Sequence, residues 1–354
     1  MNQRTRLGSL AGAALTIALL VGLATGPVAA PSDDEPSAYV TFCINVHDFF
    51  HIDDSADLVI RLIELFERHG VRGDFYLTAP IVRCYASSRP DAIERLREST
   101  MTISYHVRPP HPTYRGFDTR LEGLDPDALA ATLFDYETTR LDPATGDLVT
   151  GEAGGMAYLT EVFGRAPAAC SVPFERWRPA ILPIWHDLGA QMTVTYHESG
   201  TDSEQPFVWR DGLLIRPSDF SITRWSVDRG PDDAFWWTML DSPFADAYEP
   251  VDRLRSEVAA WPHQRAPFVT VLIHENNFYR RGATPWAHVY YEEAKKMTPR
   301  EPPFDLDAPD ASEPRTEANA EAIWAAYEAL VAYASSNLHV VTSEDIVRMA
   351  RNNI

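Results

Sequence analysis

Strand and helix alternate along this chain from Tyr39 onward, and that alternation constrains the fold more than any other feature. Residues 39–46, Tyr-Val-Thr-Phe-Cys-Ile-Asn-Val, form a nearly all-apolar run, as a strand covered on both faces requires. Asp53, Asp54 and Ser55 offer N-caps for a helix with apolar positions Leu58, Leu62, Leu65 and Phe66, and His69-Gly70 ends it. Strands are expected at 74–78, 101–105, 168–172, 192–196, 268–273 and 338–342. Helices are expected from Pro90 and at 125–139, 152–163, 179–188, 250–261 and 317–335, with a short last one from Ser343. Residues 200–235 read as a hairpin-rich insertion and 297–315 as an irregular, Pro- and acid-rich loop. Parallel strands with right-handed crossovers follow from such a pattern, and in folds of that kind the chemistry gathers at the C-terminal strand ends.

The first thirty residues read as an export leader. Arg4 and Arg6 form a basic start, residues 10–24 are apolar, and Val28-Ala29-Ala30 supplies small residues for cleavage after Ala30. The expected organisation is a leader at 1–30, a linker at 31–38, and one barrel domain at 39–354 with insertions near 113–165, 200–260 and 280–315. A secreted or periplasmic protein without a stable membrane span after cleavage is the expectation. The formal charge of −20, made two units more acidic by loss of the leader, disfavours nucleic-acid partners. Cys43, Cys84 and Cys170 form no disulfide framework, although one Cys84–Cys170 bridge is possible in an oxidising compartment. Oligomeric state is not legible.

The expected strand ends carry imidazoles and carboxylates. His47 and Asp48 follow the first strand, and His106 and His111 the third. His197 and Glu198 follow the strand at 192–196, and His274 and Glu275 the one at 268–273. Two neutral imidazoles and a carboxylate suit a divalent metal, Zn²⁺ above all, with an open position for water or a substrate oxygen. A base and an acid beside it would complete a metal-assisted hydrolysis. These residues specify a metallohydrolase without specifying the bond.

Several stretches, in order, resemble the polysaccharide deacetylase (NodB-homology) superfamily. Val40-Thr-Phe to Val46-His47-Asp48 stands where that family has a strand ending in Thr-Phe-Asp-Asp-Gly. The run from Gly70 to Thr78, Gly-Val-Arg-Gly-Asp-Phe-Tyr-Leu-Thr, resembles its second strand. His106 and His111 stand for its paired metal histidines, and Ser171-Val-Pro-Phe174 for its Arg-Pro-Pro-Tyr motif. Val271-Leu-Ile-His274 stands for its Leu-x-His motif, and residues 340–344 for its closing strand. The resemblance implies a distorted (β/α)7 TIM-like barrel. It implies removal of acyl groups, N- or O-acetyl, from a carbohydrate. It makes Asp48, His106 and His111 the metal ligands and His274 the catalytic acid.

Three departures accompany it. His47 replaces the family's catalytic Asp and reads as the base, an added ligand or a mark of lost activity. The paired histidines stand five apart across Pro109-Pro110. Ser171 replaces the motif arginine, for which Arg176 or Arg178 is a candidate substitute. Trp236, Asn276 and Asn277 are candidate sugar contacts. Two other readings stay open: an altered barrel that binds or assembles glycans without turnover, and a glycosidase pairing Asp48 with Glu275 or Glu198.

Overall fold

The computed structural model describes residues 38–114, 116–171, 175–194, 208–216, 250–259, 268–281, 284–293 and 298–352. The expected leader, His197, Glu198 and Trp236 lie outside them. Among the described residues no helix is long and apolar enough to cross a membrane.

Among the described residues thirteen strands follow in chain order: β1 (Tyr39–Val46), β2 (Asp74–Leu77), β3 (Thr102–Tyr105), β4 (Thr139–Leu141), β5 (Leu148–Ala153), β6 (Ala169–Ser171), β7 (Met192–Val194), β8 (Val208–Arg210), β9 (Leu213–Arg216), β10 (Phe268–His274), β11 (Arg280–Arg281), β12 (Glu313–Pro314) and β13 (His339–Val340). The main sheet runs β10-β1-β2-β3-β6-β7-β9-β8, with β13 also on β1. Every pair in it is parallel except the β8–β9 hairpin. The sheet curls into a distorted, partly open barrel. Its interior is filled: Cys43, Asn45, Tyr76, Ser171, Val194, Thr270 and Leu272 leave a void of only about 10 Å³ between them.

Six helices precede β8: α1 (Ile52–Arg68), α2 (Ala79–Ser88), α3 (Pro90–Glu98), α4 (Pro126–Thr138), α5 (Gly155–Phe163) and α6 (Arg178–Asp187). Helices Pro250–Ala259, Glu317–Asn337 and Ser343–Asn352 come later. The strand period of two divides β1 cleanly. Val40, Phe42, Ile44 and Val46 join the large core with Leu58, Leu62 and Phe66 of α1, whereas Cys43 and Asn45 face the barrel interior.

The structure corrects several expectations. Helix α1 begins at Ile52 after His51, which gives no side-chain cap, so Asp53 and Asp54 sit in the first turn and complement the helix dipole instead. Thr78 ends no strand; its hydroxyl caps α2, accepting from the Ile81 amide, with proline in the first turn. Glu152 belongs to the β4–β5 hairpin and not to the following helix, which starts at Gly155. The described part of 200–235 is a hairpin whose β9 joins the main sheet beside β7. Asp211 and Gly212 turn it at positive φ, 49° and 80°, as a tight hairpin demands. All three cysteines are free thiols, so Cys84 and Cys170 form no bridge.

At the N-terminal end of the barrel Asp74 is fully buried. It accepts from Ser104 Oγ at 2.6 Å and from the Ser343 amide at 2.9 Å, fastening the last helix under β2. Burial pushes its carboxyl up to about 6. That end is structural.

Candidate active site

The C-terminal mouth of the barrel holds a second polar group. His47 follows β1, His106 follows β3, and His274 is the last residue of β10. Odd positions of β1 face inward, so His47 extends the row of Cys43 and Asn45, and His274 the row of Thr270 and Leu272. The three rings meet: the His47 centroid lies 5.7 Å from that of His106 and 5.0 Å from that of His274, both edge-on. His47 and His106 are buried, and His274 is half-buried.

Hydrogen-bond polarity assigns the ring protons. Trp286 Nε1 donates to His47 Nδ1 at 2.9 Å. An indole N–H only donates, so Nδ1 accepts and the His47 ring proton sits on Nε2. Around His274 the polarity is opposite. Arg108 Nη2 lies 3.1 Å and Asn45 Nδ2 3.3 Å from His274 Nε2, and both groups donate. His274 Nε2 is therefore an acceptor. His106 has no hydrogen-bond partner at either ring nitrogen. Burial first, then the charge of Arg108, hold it well below the ordinary imidazole range, so it is neutral.

His111 faces elsewhere. Its Nδ1 accepts from the Thr113 amide at 3.2 Å, which puts the ring proton on Nε2, 3.5 Å from Glu137 Oε1. Burial drives both partners toward neutrality, His111 down to about 3 and Glu137 up to about 7. Glu137 is held from going higher by Trp185, Tyr105 and the Met156 amide. His47, His106 and His111 nevertheless line one cavity of about 230 Å³, together with Arg83, Arg108 and Arg140.

Asp48 stands on the other side of the β1 end. Its Oδ1 accepts from the amides of Phe50 at 3.0 Å and His51 at 3.2 Å. Its Oδ2 accepts from Tyr279 Oη at 2.9 Å and meets His51 Nδ1 at 3.0 Å. Glu275 sits with it, Oε1 accepting the amides of both His47 and Asp48. Burial, then the Asp48 charge, pushes Glu275 up to about 8, against the pull of those two amides. The Asp48 hydrogen bond raises His51, whose Nε2 reaches Asp310 Oδ2 at 3.3 Å. Arg280 holds the same Asp310 oxygen at 2.9 Å.

The expected Zn²⁺ trio of Asp48, His106 and His111 therefore does not fit as these side chains stand. Both Asp48 oxygens are engaged away from the cavity, and the His111 lone pair is taken by the Thr113 amide. Among the described residues no three His, Cys, Asp or Glu side chains gather as a metal-holding group. The acceptor nitrogen of His47 is bonded to Trp286, as that of His274 is to Arg108 and Asn45. Asn276 and Asn277 lie on the turn Glu275–Phe278 and do not line the cavity. Asn276 Nδ2 bonds Asn277 Oδ1 at 3.2 Å. Glu275 accepts the amides of His47 and Asp48, and neither Asp48 nor Glu275 is among the cavity's described lining residues. Arg176 pairs with Glu122 at 2.9 Å and Asp118 at 3.5 Å, leaving no sign of a site role.

Sequence reasoning missed Arg108, Trp286 and Glu137. Arg108 had a signal, since it follows His106 by two residues in the segment after β3. Trp286 and Glu137 had none.

Neither a family model nor a curated protein sequence matches the chain. Solved structures overlap it along nearly its whole length. One, classed with the polysaccharide deacetylases and from Mycobacterium smegmatis, is 14% identical with a TM-score of 0.46, over 92% of this chain and 94% of the other. Another so classed, from Pseudomonas aeruginosa PAO1, is 14% identical with a TM-score of 0.43, over 90% and 92%. The allantoinase PuuE is 13% identical with a TM-score of 0.45, over 95% and 97%. No residue's role is carried over from overlaps this loose. In motif order along the sequence, this chain is similar to the polysaccharide deacetylases.

Proposed function

We propose that this chain is a hydrolase that removes acyl groups, N- or O-acetyl, from a carbohydrate, after export directed by residues 1–30. The observation that carries the reading is the opposite polarity of two neighbouring imidazoles at the barrel mouth, donor at His47 Nε2 and acceptor at His274 Nε2. Acyl transfer to water needs that pair of functions. Water attacks the carbonyl carbon and gives its proton to His274 Nε2. The carbonyl oxygen gains charge and is held by the His47 N–H, a neutral imidazole acting as electrophile. Collapse breaks the C–N or C–O bond, and the leaving nitrogen or oxygen takes the proton back from His274. These roles reverse the expectation of His47 as base and His274 as acid. No step is routed through a metal on Asp48, His106 and His111.

Release of acetate from N-acetylated and O-acetylated oligosaccharides, with and without chelator, tests the reading. Turnover that disappears in His274→Ala supports it. A second reading, glycan binding without turnover, is favoured by the withdrawal of Asp48 from the cavity. Saturable binding with no acetate released from any acetylated glycan would establish that one instead.

A further inference from the structure

The cavity at the barrel mouth is unusual for so acidic a chain. With 51 Asp and Glu against 31 Lys and Arg, carboxylates are available to most cations. Arg72, Arg89, Arg95, Arg120 and Arg280 all pair with them. Among the described residues, by contrast, the cavity is lined by three arginines and three histidines and by no Asp or Glu. Arg83 and Arg140 share Glu152, at 3.8 Å and 2.9 Å. Arg108 has no such partner among the described residues. Its Nη1 donates to the Val107 carbonyl at 3.0 Å, its Nη2 to the neutral His274 ring, and its buried Nε bonds nothing. His106 beside it is buried with both ring nitrogens without a partner.

A guanidinium is always charged, and its planar fork matches a carboxylate through two parallel hydrogen bonds. Leaving such a fork in a partly desolvated cavity on a carbonyl and an imidazole is poor compensation for lost hydration. We infer that Arg108 is the specificity residue for an anionic sugar: the cavity takes a saccharide that bears its own carboxylate, held by Arg108 with His106 alongside. The inference rests on the proposed carbohydrate reading and deepens it. Pairing with that carboxylate takes Nη2 off His274 Nε2 and leaves only the longer Asn45 contact on this lone pair.

Equilibrium binding, which needs no turnover, separates this inference from the hydrolase reading. The matched probes are the methyl glycosides of N-acetylglucosaminuronic acid and of N-acetylglucosamine, which differ only in the C6 carboxylate. Calorimetry on the full chain should show the acid binding about 10- to 100-fold tighter, the range of a charge-assisted hydrogen-bonded pair. In Arg108→Gln that preference should vanish, with an unchanged melting temperature certifying the fold. Arg108→Lys should recover only part of it, since a point charge replaces the fork. Equal affinity for the two probes, no saturable binding of the acid, or an acid preference that survives in Arg108→Gln would overturn the inference. Free acetate displacing the acidic sugar at equal concentration would also overturn it, because the site would then serve a small free carboxylate. Failure to release acetate in the presence of this acid preference would count against hydrolysis alone.

Discussion

On one side of the β1 end stand His47, His106 and His274 with Arg108; on the other stand Asp48, Glu275, Tyr279 and His51. The two groups differ in how their polar atoms are used. On the carboxylate side Asp48 spends each oxygen on two contacts, and Glu275 Oε1 clamps two backbone amides. Such satisfaction fixes the backbone that carries His47, and it leaves Asp48 little with which to receive a ligand. On the imidazole side the groups are sparsely bonded, neutral or cationic, and in part open to a cavity. The difference teaches that adjacent residues of one motif, His47 and Asp48, serve chemistry and scaffold separately.

The comparison breaks or sharpens under four changes. The largest effect is expected from His274→Ala, which should lower acetate release by about 10²- to 10⁴-fold, the usual worth of a positioned base, without a comparable loss of stability. Activity within a few-fold of the parent would break the assignment. Next comes Asp48→Ala, expected to cost about 3–5 kcal/mol in urea unfolding, because His51 and the buried donors lose their carboxylate. A neutral result would show that the carboxylate side does not hold the strand end.

Trp286→Phe is smaller. Removing the indole N–H frees His47 to place its proton on either nitrogen. A rate loss of about fivefold is expected for a lost hydrogen bond of about 1 kcal/mol, with the tautomer change visible in imidazole ¹⁵N shifts. An unchanged rate with a changed tautomer would remove His47 from the chemistry.

The last change is in pH. The Glu275 carboxyl is raised from 4.5 to about 8 in the folded chain, so the folded state holds that proton more tightly than the unfolded one. The contribution is fully present below about 4.5 and is lost as pH rises toward about 8. Glu275→Gln, which keeps an acceptor for both amides, should flatten that part of the stability profile. A slope identical to the parent's would place the titration elsewhere.

Much of this was legible in the sequence, for identifiable reasons. The apolar runs of β1 and β10 marked strands covered on both faces, and His47, His106 and His274 fell at strand ends. The strand period of two stops short of His47 and Asp48, because β1 ends at Val46, so the contacts of Asp48 were not legible from it. Thr78 followed by Ala-Pro was a legible cap for α2, hidden by the apolar strand it follows. Trp286 and Glu137 were out of reach, because tertiary packing brings Trp286 to His47 across 239 positions and Glu137 to His111 from a separate helix. Ring-proton placement was equally invisible, since it depends on which donor each nitrogen meets.

The most direct test is the acetate-release rate of Asp48→Asn, corrected for folded fraction and measured with chelator and with added Zn²⁺. An Asn keeps an acceptor for the backbone amides but is a poor metal ligand. The division between the two sides of β1 predicts a rate within about threefold of the parent in both conditions, since a surviving hydrogen-bond network costs at most about 0.7 kcal/mol. A loss of 100-fold or more, accompanied by loss of bound metal, would contradict it and return Asp48 to the chemistry.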